Sequence, residues 1–199
     1  MSQTKNKFKL WESCMLIALS LGLCAGLWAQ GRQNNISAEL VRLHVIAVSD
    51  EENEQQLKLR VRDAVLEYLS PVLAGAESPQ QARAIIKDNL LPIAEAAAAA
   101  SEGRQVSVSL GRESYPSRIY EGFTLPAGSY ESLRIVLGEG QGKNWWCIAF
   151  PPLCLNAAQC EQMQAVMNSE DYALITRQEG YELRFKIVEL WGQLTNMLK

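Results

Sequence analysis

The spacing of hydrophobic residues in the first half of the chain predicts one strand followed by helices. Residues 41–48 form an apolar run rich in β-branched side chains, which is typical of a buried strand. Ser49 and Glu52 follow at the spacing of a capping box, which predicts the start of a helix. Pro71 and Gly75 are expected to end that helix. Its apolar residues recur at intervals of three or four: Leu57, Val61, Ala64, Val65, Tyr68 and Leu69.

A second helical region is predicted between residues 76 and 103. Ser78 followed by Pro79 predicts a helix start, because proline is tolerated at the first helical position. Pro92 interrupts the pattern, so a kink or a break into two helices is expected there. The alanines at 96–100 favour a helix that packs closely on a sheet, and a low-complexity linker is the alternative.

The second half of the chain has the alternating pattern or the composition of strands. Strands are predicted at residues 105–110, 117–123, 133–137, 145–150 and 181–187. The glycine-rich residues 138–142 lie between two of these segments and predict a β-hairpin with a long loop. Residues 155–180 show no clear period, and a short amphipathic helix is expected after residue 187. The elements together predict an α+β fold: a mainly antiparallel sheet, two or three helices after the first strand and a short C-terminal helix.

The N-terminal residues have the layout of an export signal. Three lysines lie within the first nine residues, and residues 14–28 form an almost unbroken apolar run without charge. This run is short for a bilayer crossing, and residues 27–29 make a poor cleavage site because large side chains stand where small ones are preferred. We therefore expect residues 1–29 to be a signal peptide or a membrane anchor, residues 30–40 a polar linker, and residues 41–199 a single domain.

Charge and cysteine content limit the function further. A net charge of −3, with no strongly basic face, argues against nucleic-acid binding. Three cysteines follow the leader, and a disulfide is chemically permitted outside the cytoplasm. Cys147 and Cys154 flank a proline-containing turn and are the easiest pair to bridge, which leaves Cys160 over. The spacing matches no zinc pattern, so neither a metal nor a cofactor is expected.

Two pairs of residues are candidates for a functional role. Cys147 and His44 supply the minimum for a nucleophile–base pair, although a hydrogen-bonded structural role for His44 is favoured within an apolar strand. Trp145 and Trp146 are adjacent strand residues and so face opposite sides of the sheet. One indole is expected in the core and the other exposed as a protein contact, with partial burial of both as the alternative.

Four stretches resemble the stage II sporulation protein R family. They are residues 42–50, which contain Arg42, His44, Ser49 and Asp50; residues 57–65, which contain Arg62 and Asp63; residues 138–154, with their Asn-Trp-Trp-Cys run at 144–147; and residues 184–186. The resemblance runs from about residue 41 to 199. It departs from the family at Val48, where an asparagine is expected.

The resemblance implies an extracytoplasmic signal in endospore-forming bacteria. Such proteins are made in the forespore and exported into the space between its membrane and that of the mother cell. There they activate a membrane-embedded aspartic protease, which processes the sigma-E precursor. Asn144, Trp145 and Trp146 are expected to contact that protease, and the membrane is expected to be met only through the N-terminal segment. The alternative is an exported cell-wall, ester or amide hydrolase that uses Cys147 and His44.

Overall fold

The computed structural model describes residues 2–120, 123–151 and 167–176. Its helices are α1 (Ser2–Ala38), α2 (Glu52–Leu73), α3 (Pro79–Asp88), α4 (Leu90–Ala99) and α5 (Ser169–Thr176). Its strands are β1 (Val41–Ile46), β2 (Val106–Tyr115), β3 (Arg118–Tyr120), β4 (Phe123–Leu125), β5 (Gly128–Leu137) and β6 (Asn144–Phe150). The strand and helix predicted after residue 180 lie outside the described residues.

Four strands form the main sheet in the order β2-β5-β1-β6. β1 pairs antiparallel with β6 and parallel with β5, and β5 pairs antiparallel with β2. The α+β class is confirmed, and the sheet is mixed rather than purely antiparallel. β1 takes an internal position, and five of its six residues are buried.

The predicted hairpin between 133–137 and 145–150 is wrong. Both segments are strands, but β1 lies between them. The glycine-rich segment crosses the end of β1 instead, where the Gly142 N–H donates to the Ala47 carbonyl at 2.9 Å and the Gln141 N–H donates to the Val48 carbonyl at 3.3 Å. Alternation of side chains predicts which residues share a face of a strand, but it does not predict which strand lies alongside.

Helices α2, α3 and α4 cover one face of the sheet. Four predicted α2 core residues, Leu57, Val61, Val65 and Leu69, are buried, whereas Ala64 and Tyr68 are partly buried. The break near Pro92 is confirmed, since α3 ends at Asp88 and α4 begins at Leu90. The alanine run is helical through Ala99, and Ala97 is buried in the core.

The start and the end of α2 differ from the prediction. Glu51 is the N-cap and makes no side-chain capping bond, while the Ser49 hydroxyl accepts a hydrogen bond from the Glu51 N–H at 3.3 Å. The capping box is therefore wrong: the chain makes a local serine turn and enters the helix two residues later. Pro71 lies inside α2, which continues to Leu73.

The other face of the sheet is partly covered by the end of α1, the β3–β4 hairpin and α5. These elements enclose a second apolar cluster of Ile36, Leu40, Tyr115, Phe123, Leu125, Tyr130, Ile148, Met167 and Ile175. Residues 30–38, predicted as a linker, are helical, because Ile36 and Leu40 share one side of the chain and bury it against the domain. The Leu10–Ala38 part of α1 is long and apolar enough to cross a membrane, as signal sequences also are.

Glu39, directly after α1, makes the contact with the start of α5 sensitive to pH. Its carboxylate accepts a hydrogen bond from the Asn168 N–H at 3.4 Å. Burial, with the Asp171 charge acting in the same direction, raises the pKa of Glu39 above its ordinary value of 4.5. Between pH 4.5 and the raised pKa, Glu39 keeps its proton in the folded chain and has lost it in the unfolded chain. The stabilisation from Glu39 is therefore fully present below pH 4.5 and is lost as pH rises through the folded pKa.

The variant Glu39→Gln is accordingly expected to unfold at higher urea concentration than the parent chain at neutral pH. At about pH 4 the two proteins should unfold together, because both side chains are then largely neutral. Urea titrations at several pH values, followed by tryptophan fluorescence, measure the difference. An equal midpoint at neutral pH would contradict the assignment of this carboxyl as the pH-sensitive group.

Candidate functional site

Alternate residues of β1 project polar groups from the sheet face that α2–α4 leave uncovered. We call this the open face, because α1, α5 and the β3–β4 hairpin cover it only in part. Leu43 and Val45 enter the helix-covered core, so Arg42 and His44 point to the open face. The register places His44 beside Trp146 of β6 and beside Arg134 of β5. The motif residues His44 and Trp146 are thereby brought together on the open face.

Arg42 is fully buried and is enclosed by three tyrosine rings. Its guanidinium carbon lies 4.3 Å from the Tyr115 ring centre, 5.2 Å from that of Tyr130 and 5.7 Å from that of Tyr120. Nε donates to the Cys147 carbonyl at 3.0 Å, and Nη2 donates to the Tyr120 hydroxyl at 2.6 Å. We call this arrangement the tyrosine cage. It ties β1 to β6, β2, β5 and the β3–β4 hairpin through one side chain.

The tyrosine cage supplies no negative charge. Burial raises the pKa of all three tyrosines above the ordinary value of 10, so their hydroxyls stay neutral over the physiological range. Within the described part of the chain, Nη1 of Arg42 has no hydrogen-bond partner. The guanidinium is therefore stabilised by the negative ring faces and by two hydrogen bonds rather than by a carboxylate.

His44 joins a second network on the open face. Nδ1 lies 3.1 Å from a Glu113 carboxylate oxygen, and Nε2 lies 2.9 Å from the Asn144 side-chain oxygen. The Ser132 hydroxyl donates to Glu113 at 2.6 Å and lies 2.6 Å from the Tyr115 hydroxyl. The favoured interpretation of His44 as a hydrogen-bonded residue agrees with this geometry. The network connects the start of β6 to the tyrosine cage.

The two tryptophans lie on opposite faces, as adjacent strand residues must. Trp145 packs against the helix-covered core with Arg62 4.4 Å from its ring centre, and Trp146 lies on the open face with Arg118 at 4.1 Å. Both indoles are partly buried, so the alternative prediction was correct. Trp146 also contacts His44, at 5.7 Å between ring centres. Asn144 beside them is exposed.

Cys147 does not meet His44. The register pairs Cys147 with Leu43, and the Cys147 side chain belongs to the core under the helices. His44 points to the opposite face, so the predicted nucleophile–base pair is not formed. Cys154 and Cys160 lie outside the described residues, and the Cys147–Cys154 disulfide stays a prediction.

The Ser49-Asp50 motif holds the start of β6 in place. An Asp50 carboxylate oxygen accepts a hydrogen bond from the Lys143 N–H at 2.7 Å. Lys58 donates to the Lys143 carbonyl at 2.9 Å and to the Gln55 side-chain oxygen at 2.6 Å. Lys58 is buried rather than solvated, and burial lowers its pKa. These bonds fix the residue that precedes Asn144, and hence the position of both tryptophans.

The remaining motif residues have local roles. Arg62 pairs with Asp63 at 2.6 Å while it lies over Trp145. Val48, which stands where the family is expected to have asparagine, packs beside Gly138: its methyl carbons lie 3.2 and 3.3 Å from the position that a Cβ there would take. Val48 therefore supports the glycine-rich crossing by apolar packing.

Sequence reasoning did not identify Glu113, Tyr115, Ser132 or Arg118 as part of the site. Glu113 and Tyr115 lie on the part of β2 beyond the predicted segment 105–110. The apolar alternation of Val106, Val108 and Leu110 stops at Gly111, so the sequence gives no signal for Glu113 and Tyr115, and only the strand order shows that they meet β1. Among the residues that the structure describes, no group of three or more His, Cys, Asp or Glu side chains is placed to hold a metal ion.

Comparison with known proteins agrees with the sequence resemblance. A family model for stage II sporulation protein R matches residues 37–160. The chain is 34% identical over 164 residues to "Stage II sporulation protein R" of Bacillus subtilis (strain 168), and the match covers 79% of this chain and 72% of that protein. No solved structure matches the chain significantly. The matched residues include all four strands of the main sheet and both networks of the open face.

Proposed function

Because the chain belongs to the stage II sporulation protein R family, we propose that it is an exported signal of endospore formation. It passes from the forespore into the intermembrane space and activates the membrane-embedded aspartic protease that processes the sigma-E precursor. The observation that carries this proposal is the family relationship over residues 37–160, which includes the Arg42–His44 and Asn144–Trp146 segments.

The geometry of the open face favours recognition over catalysis. Cys147 and His44 lie on opposite sides of the sheet, which leaves the hydrolase alternative without its nucleophile and base. Ser132 is fully buried and donates its hydroxyl proton to Glu113 rather than to His44. A nucleophilic serine needs access to substrate, and the fully buried Ser132 has none. Both networks instead hold neighbouring strands together.

The signal acts by binding the active state of the protease more tightly than its inactive state. We assign the contact to the outer side of the open face, near Asn144, Trp146 and the β3–β4 hairpin. Arg118 is exposed beside Trp146, and Ile119 is 74% exposed on the same hairpin. An indole flanked by an arginine and an exposed aliphatic side chain has the composition of interaction hot spots. We call these four residues the contact surface.

The variant Trp146→Ala is expected to reduce precursor processing by about tenfold or more, since a central interface tryptophan contributes roughly 2 kcal/mol to binding. Trp145→Ala is the matched control, because the same truncation on the helix-covered face leaves the contact surface unchanged. The measurement is the initial rate of precursor cleavage at equal amounts of folded protein. Equal rates for Trp146→Ala and the parent chain would exclude Trp146 from the contact.

The proposed function is tested by reconstitution in a bacterium that does not sporulate. The full chain, the cognate protease and the sigma-E precursor are expressed together, and precursor cleavage is followed by gel electrophoresis. A version without residues 1–29, which stays in the cytoplasm, is the matched control. Cleavage with the exported chain alone is expected. Cleavage with both versions would contradict an extracytoplasmic signal, and cleavage with neither would contradict protease activation.

A further inference from the structure

The apolar run 14–28 is short for a bilayer crossing, but it lies within a longer uncharged stretch of α1 that has the dimensions of a membrane span. Residues 13–31 carry no charge and lie within one continuous helix. At 1.5 Å per residue this segment is about 28 Å long, close to the roughly 30 Å hydrocarbon thickness of a bilayer. The large apolar side chains of this segment are exposed all around the helix, among them Met15, Leu16, Ile17, Leu19, Leu21, Leu23 and Leu27. A helix that exposes apolar side chains on every side is suited to lipid rather than to water.

The same helix is bound to the domain as soon as this apolar segment ends. Arg32 forms ion pairs with Glu170 and, at 3.2 Å, with Asp171 of α5. One turn later, Ile36 is buried in the second apolar cluster, which lies against the open face. Trp28 lies 5.8 Å from the Arg32 guanidinium, and tryptophans are enriched where a span meets the lipid headgroups. Only about one helical turn therefore separates the lipid boundary from the first contact with the domain.

We propose that α1 is retained as a membrane anchor, and that its unbroken helix holds the domain against the outer surface of the bilayer in a fixed orientation. The partner is the lipid bilayer itself. A processing protease acts most readily on exposed, flexible segments, and the helix between Trp28 and Arg32 provides none. Retention also agrees with the large side chain of Leu27 at a position where cleavage favours a small one.

The anchor gives the sheet a membrane-proximal end and a distal end. β1 begins at Val41, directly after α1, and ends at Ile46, which pairs with Asn144. Asn144 is therefore removed from the anchored end by up to the length of β1, about 20 Å for six residues. Where the proposed function holds, the protease must meet the contact surface within about this distance of the anchored end.

Retention is tested with the full chain expressed in a bacterium that does not sporulate. Membranes are separated, washed with alkaline carbonate, and the protein is analysed by intact mass. Cys14 and Cys24 provide a second readout, because both are free thiols within α1 and each adds one maleimide label to a denatured chain that keeps its leader. Cys14→Ser/Cys24→Ser is the control for this count. Release from the washed membranes of a protein that lacks residues 1–29 would overturn the proposal.

Orientation is tested in phosphatidylglycerol–phosphatidylcholine vesicles that carry headgroup quenchers. A fluorescent amino acid is placed at Ser169, near the anchored end, or at Glu139, in the distal crossing; both positions are exposed. Quenching at Ser169 is expected to exceed quenching at Glu139 severalfold. Insertion of a flexible glycine-serine segment of about eight residues after Ala29 should remove this difference. Equal quenching in the parent chain would overturn the fixed orientation. Neither readout requires the protease, so failure of the anchor and failure of the proposed function are separate results.

Discussion

Replacement of Arg42 by alanine is expected to lower the free energy of unfolding by about 3–5 kcal/mol, the range for truncation of a large, fully buried side chain. The substitution removes the hydrogen bonds to the Cys147 carbonyl and the Tyr120 hydroxyl. It also leaves a cavity between three tyrosine rings, whose mutual packing depends on the guanidinium. Processing of the sigma-E precursor should fall with the folded fraction.

Arg42→Lys separates the geometry of this site from its charge. Lysine keeps the charge but cannot stack on the rings and bond both acceptors at once, so a loss of about 2 kcal/mol or more is expected. Both variants are measured by urea unfolding of the full chain in detergent, followed by tryptophan fluorescence. A loss below about 1 kcal/mol for Arg42→Ala would show that the tyrosine cage contributes little to the fold.

Replacement of Gly142 by alanine is expected to lower the free energy of unfolding by about 2–3 kcal/mol, typical of forced overpacking. A Cβ at this position would lie 2.3 Å from the Ser49 carbonyl oxygen and 2.9 Å from the Ala47 Cβ. Backbone atoms cannot rotate away as a side chain can, so the crossing must move. Its hydrogen bond to Ala47 and the Asp50–Lys143 bond would be lost with it.

Gly111→Ala is the matched control for Gly142→Ala. Gly111 lies inside β2, and a Cβ there would meet no atom within 4 Å. Alanine should be neutral or stabilising by up to about 1 kcal/mol, because glycine loses more backbone entropy on folding. Urea midpoints and precursor processing are compared for the two variants. Equal midpoints would show that the glycine-rich crossing adjusts without cost.

The sequence predicts the elements better than their arrangement. The apolar run of β1, the Ser78-Pro79 helix start and the alternation in β5 each depend on neighbouring residues, and each element is present. The insertion of β1 between β5 and β6 depends on residues 90 to 109 positions apart, so local periodicity carries no information about it. The end of α1 was assigned to a linker because polar residues hide the widely spaced apolar side chains of Ile36 and Leu40.

The candidate site was predictable only in part, for the same reason. Arg42 and His44 follow from alternation along one strand, and Trp145 and Trp146 from alternation along another. Glu113 comes from a third strand, and its contact with His44 depends on strand order. Lys58 is buried, although lysine rarely is. Its burial requires the Lys143 carbonyl, which only the crossing over β1 brings near α2.

Site-specific photo-crosslinking tests the central claim of direct contact with the protease most directly. A photoreactive amino acid replaces either Ile119, 74% exposed at the contact surface, or Leu91, 71% exposed on α4 behind the sheet. The full chain is expressed with the cognate protease, illuminated and analysed for covalent adducts. We predict an adduct from position 119 and none from position 91. No adduct from position 119 in a chain that still triggers processing, or equal adducts from both positions, would contradict recognition through the open face.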